Sequence, residues 1–177
     1  MIVAPAGADG GTAALAPMKQ PDSAERGARV RVPPPLLSVA STLLGVALGY
    51  LAAPAPLPGA RAISVIGGLV ILVAGMSLAL SARTHFTRTG QNPMPWTPSP
   101  ELILQGPYRF TRNPMYVGLT LAQVGIGLAV NNLWIAALAI ASLAAIHFTA
   151  VLPEERYLGE KFGESYEAYR RRVRRYL

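Results

Sequence analysis

Two short stretches of this chain hold the residue types that could do chemistry: Tyr108, Arg109, Arg112, Asn113 and Tyr116 in one, Glu154-Glu155 in the other. A guanidinium can pair with a carboxylate through two parallel hydrogen bonds, so Arg109 or Arg112 suits a ligand's acidic end. Glu154 and Glu155 can accept from hydroxyls or an ammonium, and their charge favours a cationic ligand. The ring faces of Tyr108 and Tyr116 attract cations. No Asp, Glu, Lys or Arg lies between Arg112 and Glu154, and two helix-length apolar runs fill that interval. The cluster must therefore be assembled across apolar helices.

Each of these residues also has a plainer role open to it. Arg109 and Arg112 could be charged anchors flanking a membrane span. Glu154-Glu155 could be the solvated first turn of a helix, favoured by its dipole. Pro114 could simply occupy the first position of a helix. His147 stands seven residues before Glu154, about two helical turns, so both could face one side; it is either part of the site or held by an interhelical hydrogen bond. His85 fits a membrane interface. With two His and no Cys, the chain has no donor set for a dedicated transition metal.

The elements that must position these groups are apolar. Hydrophobic residues make up 51% of the 177 and charged ones only 14%, well below the quarter usual for a soluble domain. This composition implies an integral membrane protein. Lack of cysteine removes disulfides, thiolate sites and lipidation of the chain itself. The net charge of +7 sits in clusters beside apolar segments, which points to anionic lipid headgroups rather than nucleic acid.

Residues 1–32, rich in Ala, Gly and Pro, read as a disordered cytoplasmic tail without a signal peptide. Residues 33–177 form the membrane domain, with spans expected near 36–53, 62–82, 114–130 and 133–152. Asn131-Asn132 makes a tight turn between the last two. Arginines crowd the flanks before the first span, between the second and third, and after the fourth, whereas the two opposite turns hold only Arg61. The positive-inside rule then places both termini and the 83–112 loop in the cytoplasm. Five prolines keep that loop from forming one helix, and Trp96 within it suits an interface.

Downstream, Leu158, Phe162, Tyr166, Tyr169, Val173 and Tyr176 recur at helical spacing and predict an amphipathic helix over 154–176, lying on the cytoplasmic leaflet with Arg170 to Arg175 near headgroups. Gly125-x-Gly127 and the Gly45/Gly49 pair read as close-packing surfaces, the latter as weak evidence for dimerisation. The expected fold is an all-α bundle of about four membrane helices plus this C-terminal helix.

Gly106-Pro107-Tyr108-Arg109, then Thr111-Arg112-Asn113-Pro114-Met115-Tyr116-Val117-Gly118, and later Glu154-Glu155 with Phe162-Gly163 and Tyr166 to Tyr169, resemble the membrane-embedded methyltransferases. These are the isoprenylcysteine carboxyl methyltransferases and the related phospholipid N-methyltransferases, which use S-adenosylmethionine. The resemblance covers roughly residues 83–177. It implies that Tyr108, Arg112, Asn113, Pro114, Tyr116, Glu154 and Glu155 lie in or beside the cofactor site; Arg109 and His147 join the cofactor-binding candidates on their own chemistry and position, and Arg112, Asn113 and Glu154 are the catalytic candidates. It also implies a lipophilic or prenylcysteine-like acceptor. Carboxyl methylation is the first expectation, phospholipid or small-lipid N-methylation the alternative, and a non-catalytic scaffold the third. Asn113 departs from the isoprenylcysteine enzymes, which usually carry His there; Asn retains hydrogen bonding but not imidazole chemistry.

Overall fold

The computed structural model describes residues 27, 28, 30, 32–52, 56, 59, 61–90, 92, 94 and 97–176. It is helical, and among the described residues no strand forms; one isolated parallel bridge joins Thr111 to Arg174. Helices α1 (Pro34–Leu51), α2 (Arg61–Arg88), α3 (Pro114–Ala129) and α4 (Leu133–Ile146) form the bundle, with a 3-10 turn at Gly106–Arg109 before α3. One π-helical turn, His147–Val151, carries α4 into α5 (Leu152–Phe162), and α6 (Glu164–Arg172) follows.

Among the described residues, three helical elements are long and apolar enough to cross a membrane: Pro34–Leu51, Arg61–Arg88 and the unbroken Leu133–Phe162. The run expected as a span near 114–130 is a 16-residue helix. At 1.5 Å per residue it reaches about 24 Å, short of a hydrocarbon core of about 30 Å.

Burial is inverted relative to a water-soluble bundle. Large apolar side chains such as Leu43, Ile63, Val70 and Val73 point outward, more than 60% exposed. Glycine, alanine and hydroxyl residues meet inside, as lipid-facing helices require. Gly68 and Gly75 of α2 press against Gly125 and Gly118 of α3; a Cβ on Gly68 would come within 2.4 Å of the Ala129 backbone nitrogen. Gly45 abuts Ile135, and Gly49 abuts Asn132. The Gly45/Gly49 face is thus occupied by α4 within the chain. Gln123 ties α3 to α1 through Ser41 (2.9 Å). Asn131 takes a positive φ of 56°, a conformation Asn tolerates, and Asn132 accepts from Trp134 N (3.0 Å) to start α4.

Two expectations need correction. The helix expected over 154–176 neither begins nor ends there. Pro153 should stop a helix, because it lacks an N–H and its ring crowds the preceding turn. The wider turn just before it, closed by Leu152 N to His147 O, lets the helix pass through. Gly163, at φ 50°, then separates α5 from α6, and after Arg172 the chain is extended. The tail expected over 1–32 lies outside the described residues up to 26, but Ala28 and Val30 are buried against Tyr116, Ile146, Ala150 and Tyr157. Trp96 is also outside the described residues.

Candidate functional site

Pro114 begins α3 at its first turn, where a missing N–H costs nothing, and the preceding Arg112 meets the start of α5. Because α5 continues α4, Glu154 and Glu155 are held mid-helix rather than at a solvated helix start. Tyr116, one turn into α3, donates its hydroxyl to Glu154 Oε1. Arg112 Nη2 meets Glu155 Oε1 at 3.0 Å. The two stretches separated by the long uncharged interval therefore touch at two points.

A cavity opens between them, lined on its polar side by Tyr108, Arg112, Asn113, Tyr116, Glu154 and Glu155. Apolar Phe86, Leu102, Ile103, Met115 and Leu158 complete the wall, with Ser99, Glu101, Tyr166 and Tyr169. The loop is held down by Tyr157, whose hydroxyl accepts from Ser99 N at 3.1 Å. The stripe expected to face lipid instead closes the site: Tyr166 is 1% and Tyr169 4% exposed, and Tyr169 donates to the Tyr108 carbonyl at 2.8 Å.

Arg112 is the electrostatic centre. Its side chain is 8% exposed, yet only Nη2 is paired; Nε and Nη1 are buried without a partner among the described residues. The Tyr108 hydroxyl is in the same condition. Each unmet buried donor costs about 1–3 kcal/mol, so three beside one cavity mark a place where a ligand's acceptors belong. Glu155 is already satisfied, since Arg175 grips both its oxygens, Nε to Oε1 at 2.9 Å and Nη2 to Oε2 at 2.8 Å. Arg112, Glu155 and Arg175 together leave one net positive charge beside the cavity, and Glu154 adds a carboxyl held by the Tyr116 hydroxyl.

Burial, reinforced by Glu154, pushes the Tyr108 phenol well above its ordinary range, and burial pushes Tyr169 up to about 12. These hydroxyls stay protonated and act as hydrogen-bonding groups, not bases. Hydrogen bonds to Glu155 push the Arg175 guanidinium still further above its already high range.

Two expected site residues lie elsewhere. Arg109 is exposed, its guanidinium 5.9 Å from the Phe110 ring centroid. His147 Nδ1 lies 2.8 Å from the Tyr176 hydroxyl, away from the cavity lining. The π turn between His147 and Glu154 shifts the helical phase, so seven residues no longer bring them to one face. Asn113 lines the cavity, but its Nδ2 donates to the Arg175 carbonyl at 3.0 Å. Sequence reasoning missed Arg175 as a site component, because nothing distinguishes it within an arginine-rich run. It also missed Phe86 and the 99–103 loop, which carry no motif.

A family model described as phospholipid methyltransferase matches residues 63–165, more than half of the chain and all of the paired motifs. The match ends before Arg175. No curated protein matches the chain.

Proposed function

Since the chain belongs to the phospholipid methyltransferase family, and so is a membrane methyltransferase, we propose that it transfers methyl groups from S-adenosylmethionine to a lipophilic acceptor carried in the bilayer. Members of the family generally use S-adenosylmethionine. The observation that carries the reading is the pair of unmet Arg112 donors beside the Glu154 carboxyl at the end of membrane-length helices. When bound, the donor would supply a methyl carbon made electrophilic by its sulfonium. Arg112 would hold its carboxylate, Tyr108 would offer a hydroxyl, and Glu154, fixed by Tyr116, would hold its ammonium. The apolar wall at Phe86, Ile103 and Met115 would take the acceptor's hydrocarbon and exclude water.

A prenylcysteine-like carboxylate is the first acceptor class. It is ionised at neutral pH and needs no general base, so binding and alignment suffice. Asn113 is compatible with that chemistry, being engaged as a hydrogen-bond donor. A lipid amine is the second reading, favoured by Glu154, which could take the proton an ammonium must lose before it attacks. The flanking arginines support a cytoplasmic site and, with the short α3 counted as a fourth crossing, both termini on that side.

Calorimetry with detergent-solubilised protein, followed by transfer of a radiolabelled methyl group to prenylcysteine analogues and to aminophospholipids, tests both readings. Label released as methanol by mild base identifies a carboxyl ester; base-stable label on the aminophospholipid selects the amine. Absence of S-adenosylmethionine binding would leave a scaffold.

A further inference from the structure

The C-terminal segment adds a part to the site that lies beyond the family match. After α6 the chain runs back beside Thr111 and Arg112. Arg112 N donates to Arg174 O at 2.9 Å, and Thr111 Oγ1 and Asn113 Nδ2 both donate to Arg175 O at 3.0 Å. These three bonds set Arg175 opposite Glu155, and its guanidinium occupies both carboxylate oxygens. Arg112 is left with a single contact to Glu155.

We propose that Arg175 is a positioning residue that acts through Glu155: by occupying that carboxylate from both sides of its fork, it keeps Arg112 from closing on Glu155 and leaves Arg112 Nε and Nη1 available to a ligand's carboxylate. This rests on the reading of Arg112 given above. Arginine and carboxylate favour two parallel hydrogen bonds, so a Glu155 released by Arg175 would turn and take Arg112 in that way. One of the two nitrogens now unmet, Nε or Nη1, would then be sequestered, and with it the two-point grip on a ligand's carboxylate. The local charge would also fall from one net positive to none, weakening attraction for an anion.

The discriminating comparison uses two ligands on the full-length protein in detergent, S-adenosylmethionine and its decarboxylated analogue, with affinities measured by calorimetry. Arg175→Lys keeps the charge but loses the fork. It should weaken S-adenosylmethionine by about tenfold, the equivalent of one charge-assisted hydrogen bond, and change the analogue by less than about twofold. In an Arg112→Lys background the same substitution should have almost no further effect, because contacts acting through one another are not additive. Equal losses for both ligands, no loss for either, or additive losses with Arg112→Lys would each overturn the proposal. If Arg175→Lys fails to fold, Thr111→Val, which loosens the Arg175 backbone and leaves every charge in place, takes the same comparison. A parent protein that binds both ligands equally would instead remove the Arg112 reading, and the inference with it.

Discussion

Replacing Glu155 by Gln preserves shape and removes a charge on which two guanidiniums converge. Glu155 receives three contacts, 3.0 Å from Arg112 and 2.9 and 2.8 Å from Arg175, and its side chain is 10% exposed. Removing one partner of a buried ion pair costs about 3–5 kcal/mol because the remaining charge is stranded. Arg175 is 38% exposed and can rehydrate, so the loss falls mainly on Arg112, and the lower end, about 3 kcal/mol, applies. For a chain of this length each kcal/mol lowers the unfolding midpoint by about 2–4 °C, giving a drop of about 6–12 °C. Thermal unfolding in a mild detergent reads it directly. Saturating S-adenosylmethionine should recover part of the drop, since its carboxylate would answer the stranded guanidinium. Glu154→Gln makes the contrast: the Tyr116 hydroxyl can still donate to an amide oxygen, so the midpoint should hardly move while cofactor affinity falls. An Glu155→Gln midpoint within about 2 °C of the parent would refute the assignment of Glu155 as the counter-ion of Arg112.

Arg112→Lys should insert normally yet lose about 1.5–3 kcal/mol of S-adenosylmethionine binding, because one ammonium cannot serve Glu155 and the cavity together; parental affinity would remove it from the site. Arg109→Ala and His147→Gln should leave cofactor affinity within about twofold, as expected of side chains outside the cavity, and calorimetry would expose a larger role. Gly68→Val should lower thermal stability by about 1–3 kcal/mol, since the backbone of Ala129 cannot yield to a new Cβ; an unchanged melting curve would show that α2 and α3 are less closely packed. Single-cysteine labelling, clean in a chain that has no cysteine, should find Asn92 on the cytoplasmic side and Gly59 and Asn132 on the other, and labelling of Asn92 and Asn132 from one side would contradict that topology.

The apolar runs and the two polar clusters were legible in the sequence because each is a local pattern. Uncharged length identifies α1 and α2 whatever they pack against, and the uncharged interval between Arg112 and Glu154 places the two clusters on separate helices. Pro114 announced the start of α3, and Asn131-Asn132 the turn into α4. The boundary expected between the fourth span and the C-terminal helix does not form, because a single wide turn that no residue type requires carries the helix on through Pro153. The same turn defeated the inference that His147 and Glu154 share a face.

Composition and spacing by themselves determined that the chain is helical and apolar enough for a membrane, with an arginine pair and a glutamate pair on either side of an uncharged interval. Only the tertiary structure decided which arginine reaches the cavity and which partner each glutamate takes there. Arg109 and Arg112 are chemically identical, as are Glu154 and Glu155. Arg109 is excluded because the 3-10 turn points it outward beside Phe110, whereas backbone pairing with Arg174 draws Arg112 in. Glu155 is neutralised by a residue 20 positions away and Glu154 is held by one 38 positions away. Such contacts depend on how helices and chain ends meet in space, and the order of residues along one helix does not encode them.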